Sequence, residues 1–160
     1  MKIERKIVLS NIFNMALIVL IGLFAVQNLN LILTKLRFVE IADDLNASFL
    51  EMRLSEKNYF LYRDESALFE IREKIDRTRV TIEGVRNDIS RAIGEDNLRQ
   101  LISYLGKYSD TVEAVRKSGR DVQWETKLRE EGKKLKEFSE TVTLLERKRV
   151  NDIISRSKED

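Results

Sequence analysis

The stretch from Ile7 to Thr34 reads IVLSNIFNMALIVLIGLFAVQNLNLILT and contains no charged residue. Ile, Leu, Val and Phe dominate it, and about 20 such residues in a helix cross the hydrocarbon of a bilayer. Polar side chains cluster at its far end, at Gln27, Asn28 and Asn30. The sequence therefore predicts a transmembrane helix over residues 7–27.

The short segment before this helix sets the expected orientation. Residues 1–6 contain three bases and one acid, and basic flanks stay on the cytoplasmic side of a membrane. We therefore expect a cytoplasmic tail, a single span in the inner membrane, and a periplasmic or extracellular remainder over residues 28–160. A cleaved signal peptide is the alternative, since it shares the basic start and the apolar run. The length of the run and the lack of a small-x-small cleavage pattern favour the anchor.

The composition excludes most catalytic chemistry. The 160 residues include no His and no Cys, which removes imidazole and thiol groups as bases, nucleophiles and metal ligands. We therefore expect no enzyme activity in this chain, and no cofactor or metal. The 29 Lys and Arg nearly balance the 27 Asp and Glu, and the excess lies in the N-terminal tail, so nucleic-acid binding is disfavoured.

Beyond the span, apolar residues recur every three or four positions, which is typical of amphipathic helices. Breaks near Asp64, Gly94 and Gly119 divide this pattern into four helices. We predict an all-α chain whose transmembrane helix continues into an antiparallel up-down-up-down four-helix bundle over residues 28–160. The stripes predicted to face the core are Leu31, Phe38, Ala42, Leu45, Phe49, Met52 and Tyr59 in the first helix; Leu68, Ile71, Ile75, Thr78, Ile82, Val85, Ile89 and Ala92 in the second; Leu98, Leu101, Leu105, Tyr108, Val112 and Val115 in the third; and Leu128, Leu135, Phe138, Val142 and Leu145 in the fourth.

The first and last of these helices are the longest. Outside the membrane they are expected over residues 29–63 and 121–157, whereas the middle two are shorter. In an up-down topology both long helices have one end at the membrane. The last helix should therefore return the chain to the bilayer surface.

Two segments resemble a known group of proteins. The stretch Met52–Asp64, MRLSEKNYFLYRD, resembles the end of the first extracytoplasmic helix in helical-bundle sensor domains of bacterial two-component histidine kinases and chemoreceptors. The stretch Leu128–Val150, LREEGKKLKEFSETVTLLERKRV, is similar to the returning helix of the same group. The resemblance implies a sensor or input domain that works as a homodimer.

Such receptors continue into a second span, usually a linker domain, and then a kinase or a methyl-accepting signalling domain. The printed sequence ends before such a second span. The resemblance therefore implies an input module without its output, and any kinase activity would belong to residues outside this chain.

Glu56 is a carboxylate on the otherwise apolar stripe of the first helix, between Met52 and Tyr59. One interpretation is an ion pair with an Arg of a neighbouring helix, Arg72 or Arg129, which would fix the helix register. The other is a ligand cavity in the distal half of the bundle.

The ligand interpretation rests on basic and aromatic residues near the distal end. Arg binds carboxylates bidentately, so a small organic acid is the expected ligand; solvated surface bases and packing of aromatic rings at the tip are the alternative readings. The candidate ligand-binding residues are Arg53, Glu56, Lys57, Tyr59, Arg63, Arg72 and Trp124.

Three hypotheses for function follow. The first is a membrane-anchored sensor module. In it Ser10, Asn11 and Asn14 of the span either favour self-association by hydrogen bonding between helices or lie close enough to the lipid headgroups to be hydrated. The second is a single-span structural or scaffolding bundle that binds another protein. The third is a secreted or pore-forming helical protein whose first segment is removed.

Overall fold

A computed structural model describes residues 2–119 and 121–156, and every regular element in these two ranges is a helix. The prediction of an all-α chain is confirmed for this part of the protein. Met1, Arg120 and residues 157–160, which belong to the predicted tail and to the predicted outer domain, lie outside the described residues. The helices are α1 (Lys2–Tyr62), α2 (Ser66–Gly84), α3 (Arg86–Ile93), α4 (Glu95–Ser118) and α5 (Val122–Arg156).

Helix α1 runs without a break from the apolar segment to the first turn. Its 61 residues correspond to a length of about 90 Å at 1.5 Å per residue. Within it, Ser10–Asn30 has a mean hydropathy of 2.1 over 21 residues, and none of this segment is buried inside the protein. The segment overlaps the predicted span 7–27 and is long and apolar enough to cross a membrane. The side chains of residues 2–9 lie outside the described part of the chain.

The turn after α1 uses residues suited to it. Arg63 adopts a φ of 55° and its backbone N–H donates to the Tyr59 carbonyl over 2.9 Å. The Asp64 carboxylate accepts a 2.9 Å hydrogen bond from the Ser66 backbone N–H. Hydrogen bonding by the Ser66 side chain, and then by this backbone N–H, lowers the pKa of Asp64. Asp64 therefore satisfies a free N–H at the start of α2, although the N-cap position itself is occupied by Glu65, whose side chain makes no capping hydrogen bond.

The prediction of one helix from Asp64 to Gly94 is wrong, because the chain breaks at Val85 into α2 and α3. Val85 has φ −117° and ψ 18°, outside the helical region, and α3 restarts with the Ile89 N–H donating to the Val85 carbonyl over 3.0 Å. Gly84 and the β-branched Val85 are both poor helix formers, so this pair is the weakest point of the segment.

The two predicted glycine stops are confirmed. Gly94 and Gly119 have φ values of 87° and 67°, a region that glycine enters without the steric cost that a Cβ would bring. They end α3 and α4, respectively.

One buried stripe of each helix forms the core, largely at the predicted positions. Phe49, Ile82 and Leu105 are each 1% exposed. Leu145 is an error of the sequence analysis, because it is 54% exposed while its neighbour Glu146 is 2% exposed. The predicted core residues found buried are Phe38, Ala42, Leu45, Phe49, Met52, Tyr59, Leu68, Ile71, Ile75, Thr78, Ile82, Ile89, Ala92, Leu98, Leu101, Leu105, Tyr108, Val112, Val115, Leu128 and Leu135.

Helix α5 packs along the outer part of α1, and α4 packs on α5 and α2. Residues later along α1, and Arg63 just after it, contact residues earlier along α5. Asp43 pairs with Arg147, Asn46 with Thr143, and Arg63 with Glu125. The last helix therefore runs back along the first, so that residues far apart in sequence meet between these two helices.

Candidate functional site

The side of α5 that meets α1 is polar and follows a seven-residue repeat. Glu125, Gly132, Ser139 and Glu146 recur at this interval and all four are buried. We call this set the polar seam. Apolar residues follow three positions later, with Leu128 and Leu135 buried and Val142 partly buried. A seam of this kind combines coiled-coil packing with polar groups that must find partners.

Glu56 of α1 lies at the middle of the polar seam in a closed cluster. Its carboxylate forms an ion pair with Arg53, one turn earlier on the same helix, and accepts a 3.0 Å hydrogen bond from the Tyr108 hydroxyl of α4. A Cβ at Gly132 of α5 would lie 2.5 Å from Arg53 Nη1 and 2.7 Å from Glu56 Oε2. Three helices therefore meet here with no space for an additional side chain.

The partners of Glu56 differ from those expected. Arg72 lies 3.7 Å from Glu113 of α4, and the guanidinium of Arg129 lies 4.0 Å from the centre of the Phe60 ring. The reason is local, because a helix places residues three positions apart on one side, and Arg53 is therefore nearer to Glu56 than a base from another helix.

Burial is the main influence on the pKa values of Glu56 and Tyr108. Removal from water raises the pKa of Glu56, and the nearby Arg53 and the Tyr108 hydrogen bond oppose that shift without cancelling it. Burial and the adjacent Glu56 carboxylate also raise the pKa of Tyr108 well above its usual value, so Tyr108 remains a hydrogen-bond donor.

A second polar cluster lies at the distal end of the polar seam. The Glu125 carboxylate accepts hydrogen bonds from the Tyr59 hydroxyl over 3.3 Å and from Arg63 Nη1 over 2.5 Å. Burial, followed by the charge of Glu125, raises the pKa of Tyr59. Tyr59 and Arg63, two of the predicted ligand-binding residues, therefore bind the start of α5 to the end of α1.

A surface groove runs beside the polar seam, between α1 and α5. It has a volume of about 470 Å³, with an apolar wall on α1 and several bases on both helices. The ammonium group of Lys133 lies 3.6 Å from Glu137, and that of Lys136 lies 2.8 Å from Glu140. We call this feature the basic groove; its lining residues are Leu50, Arg53, Leu54, Lys57, Lys133, Lys136 and Glu137.

The structure distributes the seven predicted site residues over several places. Arg53 and Lys57 share the basic groove, while Glu56 and Tyr59 are buried in the two polar clusters. Arg72 lines a different groove, between α2 and α4, of about 260 Å³. Trp124 lines a third, between α4 and α5, where the Lys127 ammonium lies 4.8 Å from the centre of its ring.

Sequence reasoning missed Tyr108, Glu125 and Gly132 as members of the polar clusters, and Lys133 and Lys136 as lining residues of the basic groove. The spacing of Glu125, Gly132, Ser139 and Glu146 is a signal that was present in the sequence. In residues 2–119 and 121–156 no group of three or more carboxylates is placed to hold a metal ion.

Neither a family model, nor a curated protein, nor a solved structure matches this chain. The interpretation of the site therefore rests on its own geometry.

Proposed function

We propose that this chain is the input module of a membrane-anchored bacterial signal-transduction receptor, most simply a histidine kinase whose catalytic domains lie outside this sequence. Residues 1–6 are cytoplasmic in this proposal, and residues 28–160 form an antiparallel four-helix bundle in the periplasm or outside the cell. The short α3 belongs to the second helix of that bundle, beyond the break at Val85.

The observation that carries the proposal is the continuity of α1. A single helix joins the apolar segment Ser10–Asn30 to the turn at Arg63, and α5 returns along it. A helix transmits displacement along its axis with little loss because its backbone hydrogen bonds are all internal. A change at the distal end of the bundle is therefore conveyed toward the membrane by the relative position of these two helices.

The polar seam supplies the element that moves. Its contacts include hydrogen bonds between α1 and α5, from Ser139 to Asn46 over 2.5 Å and from Tyr59 to Glu125 over 3.3 Å. Each polar group bonds to one particular partner, so a shift of α5 along α1 replaces one set of hydrogen-bond partners by another. Such a shift between two discrete arrangements is a two-state helix displacement. A ligand changes the balance between such states only if it binds one of them more tightly.

The basic groove is the proposed ligand site. Arg53 and Lys57 come from α1, and Lys133 and Lys136 come from α5, so a bound molecule contacts both moving helices. Three of the four bases are already paired, Arg53 with Glu56, Lys133 with Glu137 and Lys136 with Glu140. Lys57 adds a further positive charge, which favours an anion, and the wall of Leu50 and Leu54 favours an apolar body. We therefore propose a small organic carboxylate as the ligand.

Thermal unfolding of the full chain in detergent tests this proposal. A ligand at 100 times its Kd stabilises a protein by about 2.7 kcal/mol, so a carboxylate that binds should raise the Tm by several degrees. The screen compares organic acids with the corresponding amides at millimolar concentration. The exposed Lys57→Gln variant should lose the shift, whereas Lys148→Gln, an equal charge change away from the groove, should keep it.

Two outcomes contradict the ligand proposal. One is the absence of a shift with every acid, which would leave the scaffolding hypothesis in place. The other is an equal shift with Lys57→Gln, which would locate the binding elsewhere on the chain.

A further inference from the structure

The outer part of α1 has a second apolar side, which faces solvent. Its leucines keep between 47% and 71% of their surface exposed, and Ala47 is exposed as well. Exposed leucines in this number on one side of a helix are unusual for a surface without a partner. We call this side the leucine face; its residues are Leu33, Leu36, Ala47, Leu50, Leu54 and Leu61.

The leucine face repeats every seven residues and lies opposite the core. Leu33, Ala47, Leu54 and Leu61 are separated by multiples of seven, and Leu36 and Leu50 occupy the position three residues later in the repeat. This is the a and d pattern of a parallel coiled coil. The buried stripe, which includes Phe38, Ala42, Leu45, Phe49, Met52 and Tyr59, follows the same period on the other side of the helix.

Charged residues fill the remaining positions of the repeat. Glu40 and Asp43 lie between Leu36 and Ala47, and Lys57 lies between Leu54 and Leu61. Asp43 is paired with Arg147 of α5, which offsets its charge. The leucine face therefore has an apolar patch next to the span and a second one from Ala47 to Leu54.

The continuity of α1 with the apolar segment Ser10–Asn30 favours a second copy of the chain as the partner. Two copies inserted in one bilayer have the same orientation, so their α1 helices are parallel and their leucine faces lie at the same height above the membrane. A parallel pair brings each a or d position opposite the same position of the other copy. Each leucine thus meets its counterpart without any change in the fold.

The two borders of the leucine face differ in charge. On the α5 side lies the basic groove, which includes Arg53, Lys133 and Lys136. On the α2 side lie Asp44, which is exposed, and Glu51, whose side chain is 64% exposed with the Lys74 ammonium 3.8 Å away. A twofold axis places the α5 border of one copy against the α2 border of the other, so that bases meet acids.

We propose that the leucine face of α1 is the dimer interface, occupied by the same face of a second copy in parallel. This proposal rests on the membrane anchorage of the proposed function, and it names the partner surface. Leu50 and Leu54 belong to both the leucine face and the basic groove, so the second copy adds a wall to that groove. A ligand bound there would contact the dimer interface as well as α1 and α5.

Cysteine cross-linking in native membranes tests the interface, because the chain contains no Cys. Single Leu50→Cys, Leu54→Cys and Leu61→Cys variants should form disulfide-linked dimers under mild oxidation. Val80→Cys and Val122→Cys, at sites that are each 74% exposed, are matched controls and should give at most one tenth of that yield.

Three results would overturn the proposal. They are equal yields at the leucine and control sites, no dimer at any leucine site, and a Leu54→Cys adduct whose mass identifies a different protein.

Two further variants distinguish a specific interface from misfolding of the chain and from cross-links formed by random collision. Leu50→Glu combined with Leu54→Glu should reduce the Leu61→Cys cross-link at least tenfold, while the helix content measured by circular dichroism stays that of the parent. Val80→Glu should leave the cross-link unchanged. An undiminished cross-link in the double Glu variant would contradict the proposal.

The failure of this interface is distinguishable from the failure of the proposed function. Labelling of Val80→Cys by a membrane-impermeant maleimide in intact cells reports the orientation of the chain, and the melting screen reports the ligand. Leucine-specific cross-links without any ligand shift would support the dimer and contradict the sensor.

Discussion

The two sides of the core are built differently. Between α2 and α4 the buried part of the contact is apolar and includes Ile75 and Val112, while the ion pair of Arg72 with Glu113 lies at its exposed edge. Between α1 and α5 the contact buries Glu56 of α1 together with Glu125 and Ser139 of the polar seam. Apolar packing is non-directional and scales with area, whereas each buried polar group requires one particular partner. Apolar burial therefore stabilises the bundle without selecting partners, whereas the polar groups determine which residues of α1 and α5 lie side by side.

The largest expected loss of stability comes from truncating an apolar core residue of α4. Leu105→Ala removes a side chain that is 1% exposed, and such truncations cost about 2 to 5 kcal/mol of unfolding free energy because a cavity remains. Chemical unfolding followed by circular dichroism measures it. Lys133→Ala, at an exposed position of α5, should change the stability by less than about 0.5 kcal/mol. Equal effects of the two changes would contradict the described packing of α4.

The second largest expected effect concerns the ion pair of Arg53 with Glu56, which packs against the polar seam. Arg53→Met leaves the buried Glu56 without its cation and should cost about 3 kcal/mol at neutral pH. In a Glu56→Leu background the same change should cost much less, because no charge is left unpaired. The double-mutant cycle isolates the coupling between the two residues. Additive effects would show that Arg53 contributes through packing alone.

The smallest effect compares two helical glycines. Gly132→Ala places a Cβ against Arg53, Glu56 and Tyr108 and should destabilise the protein by about 1 to 3 kcal/mol, as overpacking does. Gly106→Ala in α4, where a Cβ meets nothing within 4 Å, should be stabilising by up to about 1 kcal/mol through helix propensity. Changes of the same sign at the two sites would contradict the close approach of α5 to α1.

Some features of the polar seam were open to sequence reasoning and others were not. The unusual position of Glu56 among apolar residues is visible in the sequence, and its burial at 2% exposure agrees with that position. Its partners were not predictable, because Arg53, Arg72 and Arg129 are chemically equivalent and only the packing of three helices brings Tyr108 and Gly132 to the same point. The exposure of Leu145 has the same origin, since α5 directs Glu146 inward instead.

The sequence by itself determined the features that depend on neighbours along the chain. These are the all-helical class, the apolar segment long enough to cross a membrane, and the ends of helices at Gly94 and Gly119, which depend on spacing, uncharged length and backbone freedom. The sequence also predicted the buried stripe of α1, to which Phe49 and Met52 belong.

Only the tertiary structure decided which residues of different helices meet, because nothing along the chain specifies that Tyr108 and Gly132 lie beside Glu56. These contacts are set by the packing of several helices at once, and α2, α3 and α5 cover the predicted side of α1 while its other apolar side stays exposed.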